Sequence, residues 1–129
     1  MREEEGLFPL RLDRRLIGAA QTHAKHMAYN GFVGHDGSDG SLTAYRVDPE
    51  RYPWHFVSEN TSGGFSSASA TFAAWVASPS HHRNNIDPGA EHIGVGYAEN
   101  GATAFHAYWV VVFGAFPEAP LTPPGGCHP

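Results

Sequence analysis

Two runs of alternating residues meet at Asn100-Gly101, and this junction constrains the fold more than any other feature of the chain. Ile93, Val95 and Tyr97 alternate with small residues before it, and Phe105, Ala107, Trp109 and Val111 alternate after it. A period of two sends successive side chains to opposite faces, so each run reads as a strand with an apolar face to cover. Asn-Gly tolerates the positive φ values of a tight hairpin turn. The expectation is an antiparallel pair closed at 100–101, with helices packed on it.

The helices are legible upstream. Leu16, Ala20, Ala24, Met27 and Ala28 recur at spacings of three and four, Asp13 is placed to cap the start, and Asn30-Gly31 offers a left-handed stop. Residues 31–41 form a Gly-rich loop, and 42–47 a short helical turn before Pro49. Phe56 to Asn60 reads as a strand end. Serines 66, 67 and 69 lead into an Ala-rich helix through Trp75, which Pro79 closes. Trp75, Trp109 and Phe113 are expected in the core. The order helix, helix, hairpin predicts an α+β domain over 1–116, followed by a Pro/Gly-rich tail over 117–129.

Composition removes several function classes. Eight Lys plus Arg against thirteen Asp plus Glu give a net charge of −5, and no basic cluster offers a face to phosphates, so general nucleic-acid binding is excluded. No stretch approaches the eighteen apolar residues of a membrane span, and Met1 to Gly6 is charged, unlike a signal peptide. One cysteine, Cys127, permits no intramolecular disulfide, and in a tail without basic neighbours it is expected to be inert. There is no G-x-S-x-G elbow for a serine hydrolase.

Three places carry candidate chemistry: His35 in the Gly-rich loop, Glu59 in the SEN segment, and His81 in SPSHHRNN. Each alone has an ordinary explanation as a turn residue, a strand-end cap or an exposed side chain. Together they make two imidazoles and one carboxylate, a set that can hold Zn²⁺ or another divalent ion with positions left open, or place a base beside a proton donor. Asn60 is expected to lock its loop through backbone hydrogen bonds. His23 and His26, three apart on the first helix, lack an evident third ligand and read as a partly buried pair. His92 and His106 read as cross-strand polar contacts, with His106 also a candidate for a cleft floor.

From Gly6 to Gly114 the ordered pieces GLFPLRLDRRLIGAAQTHAKHMA, GFVGHDGSDGS, SEN, WVASPSHHRNNIDP, HIGVGYAENG and YWVVVFG resemble the CAP superfamily, or SCP domain, in its bacterial single-domain branch. The resemblance implies a three-layer α–β–α sandwich with a central antiparallel sheet, and a cleft with two His and two Glu that binds a divalent metal in some members. Carried over by position, His35, Glu59 and His81 become the metal set for Zn²⁺ or Mg²⁺. His81 is preferred to His82 because it stands three residues after Ser78, and His82 then takes the place of the usual Arg. Ser78 stands where the second Glu would be, so Ser78, Asn60 and His82 are left as cleft or loop support. Ser58 replaces the usual Gly and Thr61 the usual Ile, and of the helix that normally precedes this pattern only REEE is present, so that first element is expected to be truncated or to begin upstream.

The resemblance implies a non-enzymatic binding module for a lipid, peptide or cell-wall ligand, in an extracytoplasmic setting. Second stands a metal-dependent, peptidase-like hydrolase in which Glu59 and His81 carry catalysis. Third is a structural subunit that docks on a protein partner in an assembly.

Overall fold

The computed structural model describes residues 2–37 and 43–117, apart from the side chains of Ala44 and Tyr45; the tail beyond Pro117, with Cys127, and the start of the expected turn at Leu42 lie outside the described residues. After a 3₁₀ turn at Glu3–Glu5 come β1 (Arg11–Leu12), α1 (Arg14–Asn30), α2 (Thr43–Val47), β2 (Phe56–Gly63), α3 (Ala68–Ala77), α4 (Pro79–Asn85), β3 (His92–Asn100) and β4 (His106–Ala115). The strands form one sheet in the order β1-β3-β4-β2. The long strands are antiparallel as expected, whereas the two-residue β1 lies parallel to β3, pairing Arg11 with His92 and Leu12 with Ile93.

Helix α1 starts where Asp13 accepts a hydrogen bond from the Arg15 amide at 2.8 Å, and ends where Gly31 turns left-handed with φ 72°. Its buried stripe is Leu16, Ala19, Ala20, His23, Ala24, Met27 and Ala28. Small residues let the helix approach closely, and the sheet answers with Gly94 and Gly96. A Cβ built on Gly94 would stand 2.2 Å from Leu16 C and Ile17 N, and one on Gly96 2.4 Å from the Ala20 carbonyl. The helix backbone therefore rests directly on β3, and the two alternate glycines are a packing requirement.

Alternation along β4 divides the core into two layers. Tyr108, Val110 and Val112 face α1 with Leu16, Ala20, Ala24 and Met27. Val111 and Phe113 face the other way, against Trp75 of α3 and Ala90. The sheet is thus covered on both faces, which is the three-layer α–β–α arrangement. Trp75 and Phe113 are core as expected, while Trp109 is half-buried against Tyr97, with its Nε1 donating to the Phe65 carbonyl.

Two local expectations are corrected. The link between β3 and β4 runs over residues 101–105 and is longer than a two-residue turn. The Asn100 side chain explains this. Its Oδ1 accepts from the Ala102 amide at 3.0 Å while its Nδ2 donates to the Ala28 carbonyl at 2.9 Å, tying the loop to the end of α1. Pro79 closes α3 but also opens α4 at its first position, where a missing N–H costs nothing. The following His81 and His82 therefore sit on a helical turn, both half-buried.

Side chains also bond the outer margins of the sheet. Trp75 Nε1 donates to the Thr61 carbonyl at 3.1 Å and Asn84 Nδ2 to the Glu59 carbonyl at 3.2 Å along β2. On β3 the Gln21 amide both accepts from the Tyr97 N–H and donates to its carbonyl.

Candidate functional site

Glu59 lies in the middle of β2, paired with Val112, and points to the α1 face with only 1% of its side chain exposed. A carboxylate buried this far must be compensated by charge and hydrogen bonds. One oxygen, Oε2, accepts from Nη2 of Arg46 at 2.8 Å. The other, Oε1, meets Nδ1 of His35 at 3.0 Å and stands 3.9 Å from Nε2 of His23. Helix α2 carries Arg46, whose Nη2 also donates to the His35 carbonyl at 2.7 Å and to Thr43 Oγ1 at 3.2 Å. A single guanidinium nitrogen thereby joins the Gly-rich loop to the strand.

The two histidines beside Glu59 have opposite characters. The His35 side chain is 57% exposed, and its hydrogen bond to Glu59 raises its pKa above the ordinary imidazole value. With Nδ1 committed to the carboxylate, Nε2 is left as the outward-facing nitrogen. His23 is fully buried, and its Nε2 lies 2.6 Å from the Gly34 carbonyl, which can only accept, so that nitrogen carries the proton. Desolvation lowers the His23 pKa, outweighing the Gly34 carbonyl and Glu59.

These shifts predict a stability optimum near pH 6.5, where an unfolded histidine titrates. Below that pH unfolded His23 takes up a proton that the folded ring resists, so stability falls as pH drops. Above it, stability conferred by protonated His35 is lost as pH rises through its raised folded value. Denaturation midpoints between pH 5.5 and 8 check this. His23→Gln is expected to flatten the acid limb and His35→Gln the alkaline limb.

The second imidazole does not join this group. His81 turns its Nδ1 to Ser78 Oγ at 2.8 Å, within its own helical turn. Among the described residues no three His, Cys, Asp or Glu side chains are gathered so as to hold a metal ion. Of the expected set, His35 and Glu59 are in hydrogen-bond contact, and His81 Nδ1 bonds Ser78. His82 carries a buried Nδ1 without a hydrogen-bond partner among the described residues.

Asn60 does more than lock a loop. Wholly buried, it donates to the His81 carbonyl at 3.0 Å and to Asn85 Oδ1 at 3.1 Å, and accepts from Asn84 Nδ2 at 2.8 Å. This network fixes α4 to β2 one residue from Glu59. Asn60→Ala removes three hydrogen bonds from this buried network and is expected to cost about 2–3 kcal/mol in chemical denaturation.

Sequence reasoning missed Arg46, which is an arginine in an unremarkable turn until the fold brings it to Glu59. It also missed His23 as a neighbour of that carboxylate, although its place on the buried stripe of α1, three residues after Ala20, was a usable signal. His92 is held by Tyr52, whose hydroxyl lies 2.7 Å from its Nδ1, so its polar partner lies off the strands and not across them. His106 is exposed at the base of the hairpin loop, with φ 66°. On the opposite face of the sheet, Leu10, Phe72, Trp75, Ile93, Val111 and Phe113 line an apolar groove with Arg2 and Asn85 at its polar edge.

Comparison with known proteins agrees with this architecture. The chain is 27% identical over 101 residues to the uncharacterized protein YkwD of Bacillus subtilis, an alignment covering 78% of this chain and 39% of YkwD. Its fold superimposes on an extracellular protein containing an SCP domain from Bacillus anthracis with a TM-score of 0.77 at 21% identity, covering 88% of this chain and 36% of that one. An outer surface protein of Borrelia burgdorferi gives a TM-score of 0.78 at 23% identity, covering 88% and 82%. The chain therefore spans about two-fifths of the curated relative it matches. The profile of the CAP, or cysteine-rich secretory protein, family matches residues 1–113, and the chain belongs to that family.

Proposed function

We propose that this CAP domain is a binding module acting outside the cytoplasm, and that it takes a peptide, lipid or cell-wall ligand through a hydrogen bond to the His35 imidazole. The observation that carries the reading is the pairing of a half-exposed ring with a buried, charge-compensated carboxylate. Glu59 and Arg46 neutralise each other beneath the surface, so the arrangement presents one oriented imidazole nitrogen outward. Orientation set before binding lowers the entropy cost of capture. The extracellular and outer-surface descriptions of the similar proteins favour the setting, and among the described residues no helix is long and apolar enough to cross a membrane.

The test is a spectroscopic titration of the folded chain with peptide, glycan and lipid panels. At least one class is expected to bind saturably, and His35→Ala to weaken it tenfold or more with the fold intact. A ligand lost instead on Phe72→Asp would move the site to the apolar groove. No saturable ligand in any class would refute the reading.

The carboxylate–imidazole pair also favours a second, hydrolytic reading with the roles reassigned. Glu59 is too enclosed to reach a substrate proton, so it would orient His35, and His35 would be the base. Turnover of a peptide panel that His35→Ala abolishes supports this reading; no turnover refutes it.

A further inference from the structure

The CAP resemblance assigns a divalent metal to the neighbourhood of Glu59, and the side chains found there are arranged for something else. Both carboxylate oxygens are engaged, Oε1 by His35 and Oε2 by Arg46. His81 bonds Ser78, and Ser78 stands where a second carboxylate would be. We propose that Arg46 is the resident cation of this site, supplying the positive charge that the resemblance assigns to a metal, and that the site binds its ligand without a metal ion.

Charge and anchorage both set Arg46 against a metal ion at Glu59. Glu59 carries one negative charge and Arg46 one positive charge, both within a nearly dry site in which the side chains are 1% and 6% exposed. A divalent ion at Glu59 would face the guanidinium at close range, because Arg46 Nη2 lies 2.8 Å from Oε2. A lysine can shed its proton to make room for a metal, whereas a guanidinium stays charged at any pH a folded protein survives. Arg46 would have to leave bodily. Leaving would also break its bonds to the His35 carbonyl and Thr43, and so release the loop that carries the first imidazole. The cation that compensates Glu59 is covalently part of the chain, and the loop is built onto it.

The inference concerns the same site as the binding reading but fails separately from it. A ligand that needs His35 and also needs Zn²⁺ would overturn the resident cation and leave the binding module standing.

The test titrates Zn²⁺, and separately Mg²⁺, into the full chain and follows the melting temperature and the histidine ring resonances. Exposed histidines elsewhere are expected to take up Zn²⁺ weakly and equally in wild type and Glu59→Gln, while the His35 resonances stay in place. A saturable shift at His35, or a rise in melting temperature that Glu59→Gln abolishes, overturns the proposal. The converse arm removes the cation. Arg46→Met is expected to lower the melting temperature by on the order of 10 °C, because it strands a buried carboxylate. Adding Glu59→Gln is expected to recover much of that loss, because the stranded charge is then gone. If Arg46→Met alone does not fold, a double variant that does fold supports the proposal in the same way. An Arg46→Met protein that melts with the wild type overturns it.

Discussion

Gly94→Ala is expected to lower the melting temperature by on the order of 10 °C, from about 3 kcal/mol of overpacking in a domain of this size. The added methyl carbon would stand 2.2 Å from Leu16 C and Ile17 N, and those atoms belong to the helix backbone. A side chain in the way can change rotamer, but a helix can only move as a body. Lifting α1 off β3 would also loosen Ala19, Ala20 and Ala24 from the sheet, which multiplies the cost of one methyl. Gly18→Ala is the contrast. The atoms in its way belong to the end of the Glu50 side chain, which can swing into water, so the loss there is expected to be small. Thermal unfolding of the two variants beside wild type measures the difference. Equal midpoints would mean that α1 has slack against the sheet.

Glu59→Ala is expected to cost about 3–5 kcal/mol, the usual penalty for removing one member of a buried ion pair. The loss comes chiefly from what remains. Arg46 keeps its charge in a site with little water, and His35 loses the acceptor that fixes its ring. Glu59→Gln is expected to cost less, because the amide oxygen still accepts from Arg46, although the charge compensation and the acceptor for His35 Nδ1 are lost. Urea denaturation at pH 7 checks the order: wild type, then Gln, then Ala. A Glu59→Ala stability within about 0.5 kcal/mol of wild type, the scatter of an ordinary surface substitution, would show that solvent reaches Arg46 freely.

Local signals in the sequence carried most of the fold. Asp13 and Gly31 bound α1, Ser67 caps α3, and the alternation through Ile93 to Phe113 gives both long strands, because capping and periodicity act over a few residues. The misreadings came where one residue serves two neighbours. Pro79 ends one helix and starts another, and Asn100 spends its side chain on α1 instead of on a tight turn. Within the site, motif order pointed to His35 and Glu59, and the two do meet. Order along the chain held no information on which way His81 turns. Arg46 lay thirteen residues from its partner, on a helix of five residues with no pattern of its own. Its importance is a property of the tertiary fold, visible only once α2 is set against β2.

The side chains of Trp75, Asn84 and Gln21, bonded to backbone along β2 and along the part of β3 that β1 does not cover, bear on what happens when many copies of the chain are crowded together. The run Trp109–Phe113 is rich in aromatic and β-branched residues and uncharged, the kind of segment that seeds fibrils when it is left open. It lies on β4, an interior strand with β3 on one side and β2 on the other. The strands that do face outward have part of their hydrogen-bonding capacity already taken by side chains of the same molecule, so they make poor templates for a foreign strand. A few margin-covering amides and one indole are therefore expected to oppose self-assembly for as long as α1, α3 and α4 stay folded.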